Sequence, residues 1–144
     1  MKTIRLFTII ALISTFTFAQ NSIEKEKTGV TIKVTIDNVR GDEGHVLFSL
    51  HTKDTFMKAP AIKNAAVIAK DGLAYAVFEN VSPGKYAILA LHDKNDNKKM
   101  DFEPSGMPKE DYGATNNVMT MGPPNYSDAE FIVENEDLEL AIRF

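Results

Sequence analysis

From Val30 to Ile36 the chain reads apolar, polar, apolar, polar without a break. Val30, Ile32, Val34 and Ile36 fall on one side of an extended backbone, and Thr31, Lys33 and Thr35 on the other. A period of two marks a strand with one face in a core and one in water; a helix, whose faces repeat every 3.6 residues, does not produce it. The same logic predicts a strand over residues 45–50, with Val46, Phe48 and Leu50 inward, and further strands over 65–69, 73–79, 85–92, 129–133 and 138–144. Turn clusters at 37–44, 82–84 and 134–137 separate them. Asp71-Gly72, lying between two apolar runs, predicts a hairpin. Residues 52–64, with Pro60, read as a connection containing one helical turn. The run KYAILALH at 85–92 is almost continuously apolar, which predicts a central strand covered on both faces. No stretch of helical length has a helical period. The expected fold is all-β: a single antiparallel β-sandwich of about seven strands with one long Asp/Asn-rich loop.

At 144 residues the chain has the length of one domain. It contains no cysteine, which excludes disulfides, thiolate zinc sites, iron–sulfur clusters, cysteine nucleophiles and a lipidated N-terminal cysteine. Twenty acids against 16 Lys and Arg argue against a phosphate backbone as partner, so no nucleic-acid role is expected.

Residues 1–19 have the parts of a secretory signal: Lys2 and Arg5, an uncharged apolar stretch over 6–18, and Thr17-Phe18-Ala19 with small residues where a signal peptidase cuts. The apolar stretch would reach about 20 Å as a helix, short of a hydrocarbon core of roughly 30 Å. Cleavage after Ala19 is therefore expected, with no membrane span afterwards. Losing Lys2 and Arg5 makes the remaining chain two charges more acidic. The expected organisation is a signal peptide at 1–19, a flexible polar lead at 20–28 and the sandwich domain at 29–144, located in the periplasm or secreted.

Chemistry concentrates in residues 93–128, far longer than a usual connection of about 4–6 residues. Pro104, Pro108, Pro123 and Pro124, with Phe102, Tyr112 and Tyr126, favour a packed loop. Asp93, Asn95, Asn97 and Asp101 place oxygen donors at positions 1, 3, 5 and 9 of a turn, with the carbonyl of Lys99 at position 7. That alternation suits a hard, oxygen-seeking cation, Ca²⁺ first. It is not an EF-hand: Lys98 stands where glycine would relieve the turn, and Pro104 where a bidentate glutamate would close the shell. Asn116 or Asn117 would complete the ligand set. The bland alternative is an Asx-rich turn capping its own backbone.

His45 and His51 fall at opposite ends of one strand, roughly 20 Å apart, too far for a shared zinc ion with His92. No GxSxG, HExxH, P-loop or dinucleotide-binding turn occurs. Glu103, Glu110, Asp111 and Asp128 leave room for paired-carboxylate chemistry, with solvated acids the commoner meaning. Tyr112 and Tyr126 suit stacking on a sugar or packing of the loop.

Pro83, Gly84, Tyr86 and Ala87, then His92, Asp93, Asn95 and Asn97, form the first part of a longer pattern. It continues through Pro108, Glu110, Tyr112, Gly113, Asn116, Asn117, Gly122, Pro123 and Pro124. In this pattern the chain resembles the DUF2141 family of exported bacterial domains. It departs at Lys98, where the family commonly has glycine, and at Ala114, where it has an aromatic residue. The resemblance implies an immunoglobulin-like or transthyretin-like sandwich, exported, and brings no catalytic activity with it. The expected function is a non-enzymatic exported binding or structural module, any ligand being a protein or carbohydrate, with a calcium-stabilised loop. The alternative is a hydrolase or isomerase whose site in 92–128 uses His92 and an acid such as Glu110. Oligomeric state is not readable from the sequence.

Overall fold

The computed structural model describes residues 29–118 and 122–144; the expected leader at 1–19 and lead at 20–28 lie outside the described residues. Among these described residues eight strands follow one another: β1 (Val30–Ile36), β2 (His45–His51), β3 (Lys63–Val67), β4 (Ala74–Val81), β5 (Gly84–Asp93), β6 (Tyr112–Ala114), β7 (Phe131–Val133) and β8 (Leu138–Ala141). A 3-10 turn (Thr115–Asn117) and one helical turn, α1 (Tyr126–Ala129), lie between β6 and β7. No described helix is long and apolar enough to cross a membrane.

The strands form two packed sheets, the expected all-β sandwich. One has the order β4-β1-β8; the other runs β3-β2-β5-β6, with β7 paired to the far end of β5. The alternation read from β1 is the burial observed: Ile32, Val34 and Ile36 are fully buried. They meet Val46, Phe48 and Leu50 of β2, Ala76 and Phe78 of β4, and Ile88 and Ala90 of β5 in one core. Each large apolar side chain so buried contributes about 1.5–3 kcal/mol.

Three features depart from the sequence reading. First, β8 runs parallel to β1, with Ile32 opposite Leu138 and Thr35 opposite Ala141; alternation fixes a strand's faces and leaves its direction open. Second, Asp71-Gly72 makes its tight turn, with Lys70 and Leu73 exchanging both backbone bonds at 2.9 Å, but no hairpin grows from it. β3 pairs with β2 and β4 with β1, so the turn carries the chain from one sheet to the other. The two runs separate because each has an inner face to bury against a different partner. Third, residues 93–128 are not one loop: they contain β6, the 3-10 turn and α1.

Candidate functional site

Along β5 the even residues Tyr86, Ile88, Ala90 and His92 face the sandwich core, so Ala87, Leu89, Leu91 and Asp93 face outward. On β2, Leu47, Ser49 and His51 share that outer face. Along its apolar run both faces of β5 are covered only at the Ala87 end; further along, Leu89 and Leu91 stay part-exposed on the outer face, short of the cover the run predicts. At one end Phe56, Ala87 and Ala129 form a second small core with Leu89, Ala114 and Tyr126 packed against it. Phe56 meets the rings of His51 and Tyr126 edge-on, at 5.8 and 5.7 Å between centroids.

Polar residues after β6 pin this second layer down. Buried Thr115 accepts the N–H of Ile88 at 3.1 Å and donates to the carbonyl of Ala129. Asn116 donates to the carbonyls of Asp128 and Glu130. Asn117 donates to the carbonyl of Ala141 and accepts the N–H of Arg143, tying the segment to the end of β8. At α1, Asn125 accepts the N–H of Asp128 as a cap. Burial pushes the Tyr126 phenol pKa up. Lys85, paired with Glu130 at 2.8 Å, is raised by that hydrogen bond and the charge behind it.

Beyond the second core the outer face stays open, and residues 98–108 and 122–124 fold over it. Phe102 and Pro108 pair as an isolated bridge, Lys109 donates to the Asp101 carbonyl at 2.9 Å, and Glu103 donates to that of Met107 at 2.7 Å. This small hairpin holds Phe102 and Met107 over the sheet, both more than half exposed. Between hairpin and sheet lies an apolar groove of about 810 Å³. Leu47, Leu89, Leu91 and Tyr112 line it from the sheet; Met100, Met107 and Phe102 line it from above. His51 lies at its inner end, its pKa lowered by burial and partly restored by hydrogen bonding to Thr55.

The turn that anchors the hairpin contains the expected metal ligands. Asp93, 1% exposed, accepts the N–H of Asn97 at 3.1 Å with one oxygen and that of Lys98 at 2.7 Å with the other. Asn95 and Asn97 both donate to one oxygen of Asp101, at 2.7 and 2.9 Å. Their own amide oxygens accept the N–H groups of Asn97 and Lys99. Asn95, Asn97 and Asp101 are thus brought together, Asp93 is turned onto backbone, and Lys99 enters through its N–H. Among the described residues no three acidic or histidine side chains converge as a cation-binding group. Buried Glu110 ties the turn together, accepting the N–H groups of Lys94 and Asp101 at 3.0 and 3.2 Å. Asp96 and Lys98 stand at φ 58° and 62°, left-handed values that favour glycine.

Asn116 and Asn117 bond to residues 128, 130, 141 and 143, not to this turn, so neither completes a shell around it. His92 is 1% exposed. Its Nε2 lies 2.9 Å from the Glu43 carbonyl, and its ring stacks on Phe144 at 6.4 Å and 3°. Neither His92 nor Glu110 lines the groove. The third histidine, His45, pairs with Asp96 at 2.6 Å. Of the two tyrosines, Tyr112 lines the groove and Tyr126 packs the second core. Sequence reading missed the groove because its walls come from separate segments; Met100, Phe102 and Met107 in a polar stretch were its one local sign.

A family model described as an uncharacterized protein conserved in bacteria (DUF2141) matches residues 34–141. No curated protein and no solved structure matches the chain.

Proposed function

The chain belongs to the DUF2141 family, and from that premise we propose that it is an exported, non-enzymatic binding module that receives a small apolar ligand. The observation that carries this reading is the groove of about 810 Å³ between the outer face of β2–β5–β6 and the 101–109 hairpin. Ligand sites of about 300–1,000 Å³ are typically apolar with few polar groups, and this groove has that character. Its leucine and methionine lining favours an apolar ligand over the carbohydrate that the tyrosines suggested. Export rests on the signal-like residues 1–19. Binding of the neutral dye Nile red to the purified protein tests the groove. Saturable fluorescence enhancement that Leu91→Gln weakens supports it; enhancement unchanged in Leu47→Gln and Leu91→Gln overturns it.

A calcium-stabilised turn is a second reading, supported by the convergence of Asn95 and Asn97 on Asp101. The donor set is all oxygen once each amide rotates, as Ca²⁺ requires. The turn's own hydrogen bonds meet every one of those side chains, so order without a cation is the competing account. A cation at 100 times its dissociation constant would add about 2.7 kcal/mol of stability. A melting temperature raised by Ca²⁺, and not by Mg²⁺, supports the site; identical melts in EDTA and millimolar Ca²⁺ reject it.

A further inference from the structure

Resting on the groove reading above, we propose that the ligand is a monomeric alkyl amphiphile with one anionic head, of the fatty-acid type. Its chain lies against Leu47, Leu89 and Leu91, and its head is held by Lys98 and Lys99.

The groove is not uniformly apolar. Lys98 and Lys99 line it together with the leucines, and both are exposed. Among the described residues neither ammonium has a carboxylate within ion-pair distance, whereas Lys94 and Lys109 of the same segment pair with Asp111 and Glu103. The acids closest in sequence are engaged elsewhere: Asp96 pairs with His45, Asp93 accepts two backbone N–H groups, and Asp101 accepts the amides of Asn95 and Asn97. Two unpaired cations thus stand beside a long apolar trough, the complement of a molecule with an apolar tail and an anionic end. A charge-assisted bond to a carboxylate is worth more than one between neutral groups, and more again beside an apolar wall.

Two further features fit that ligand. Lys98 keeps its side chain at φ 62°, where any residue but glycine is strained, so the ammonium is retained at a conformational cost. The upper wall is built from Met100 and Met107 with Phe102. Unbranched, polarizable methionines accommodate a flexible alkyl chain better than branched side chains do.

The test is displacement of Nile red from the purified protein by dodecanoate and by 1-dodecanol, both below their aggregation limits. Dodecanoate should compete at a concentration about tenfold lower than dodecanol. Lys98→Gln/Lys99→Gln should remove that advantage while leaving dodecanol unchanged, and 0.5 M salt should reduce it. Equal competition by the two, or an advantage that survives the double variant, overturns the anionic-head proposal and leaves the groove reading standing. Failure of Nile red and of both amphiphiles to bind overturns both. Sedimentation with anionic phospholipid vesicles, without competition by dodecanoate, would make a membrane surface the partner and also overturns the proposal.

Discussion

The carboxylate of Asp93 lies 2.7 Å from the backbone N–H of Lys98, five residues on, and its second oxygen takes the N–H of Asn97. This one side chain, buried at the end of β5, sets the direction in which the chain leaves the sheet. Glu110 does the same from outside, through the N–H groups of Lys94 and Asp101. The hairpin over the groove is therefore held by two buried carboxylates on backbone donors.

Asp93→Ala leaves the Lys98 N–H without its acceptor and the Asn97 N–H with the Asn95 amide oxygen alone, in a part-buried place. Hydrogen bonds to charged groups are worth about 1.5–3 kcal/mol each, and their loss is only partly recovered by water. Urea unfolding should show a loss of about 3 kcal/mol, and Nile red affinity should fall with it as the groove's upper wall loosens. Asp93→Asn keeps one acceptor oxygen and should lose about half as much. A wild-type unfolding midpoint in Asp93→Ala would remove this account of the turn.

How far the sequence made this legible depends on whether the signal was local. The inner faces of β1 and β2 follow from alternation, because burial on one side needs only the strand's own residues. Cover on both faces of β5 follows for the Ala87 end alone; the run reveals neither that Phe56 and α1 supply it there nor that Leu89 and Leu91 line a groove. Tyr112–Ala114 is too short to show a period, and it becomes β6 only because Leu89–Leu91 offers it an edge. The parallel partnership of β1 with β8 joins residues about a hundred positions apart, beyond the reach of local pattern. The spacing of Asp93, Asn95, Asn97 and Asp101 was plain in the sequence. Their use of one another and of backbone N–H groups was not, since any alternating donor set can turn inward on itself.

His51 gives the fold a dependence on acid. Burial lowers its pKa below the ordinary 6.5, with hydrogen bonding to Thr55 opposing. Above 6.5 it is neutral in the folded and unfolded chain alike, and its full contribution is present. As pH falls through 6.5 the unfolded chain takes a proton that the folded chain resists, so stability drops with acidification. Stability measured by urea at pH 7.5 and pH 5.5 should fall more steeply in the wild type than in His51→Gln. Parallel declines in the two would mean that other groups carry the dependence.

Asn117 separates a hydrogen-bonding role from a conformational one. It bridges Ala141 and Arg143 from φ 53°, in the left-handed region. Asn117→Gly loses both bonds and keeps the backbone comfortable; Asn117→Ala loses the bonds and adds left-handed strain of about 1–2 kcal/mol. Alanine should therefore destabilise more than glycine, the reverse of the order in an ordinary strand or helix, where glycine is the poorer residue. Equal losses, or a larger loss for glycine, would count against this backbone conformation.

Gly113 is fixed by crowding. A Cβ on it would stand 2.5 Å from the carbonyl oxygen of Arg143 and 2.7 Å from a methyl of Ile142. The first neighbour is backbone and the second belongs to a fully buried side chain, so neither yields readily. Gly113→Ala should push β6 off the C-terminal segment at a cost of about 1–3 kcal/mol, as overpacking does. Amide exchange would show it as lost protection at Ala90, which lies opposite Gly113, and at His92, which donates to the Asp111 carbonyl just before β6. Unchanged protection there would mean that the segment shifts as a body.

Lys98 is where stability and binding should part. Replacing it with glycine relieves left-handed strain of about 1–2 kcal/mol, and glycine's greater freedom in the unfolded chain returns about 0.5–1 kcal/mol of that. The N–H that Asp93 accepts is retained, so the turn keeps its anchor. Lys98→Gly should unfold at slightly higher urea than the wild type, by about 0.5 kcal/mol of stability, and yet bind dodecanoate more weakly. A residue retained only for structure cannot give that pair of results, because its loss would not stabilise the fold. A variant less stable than the wild type, or one that binds dodecanoate as well, would return Lys98 to the role of an ordinary turn residue.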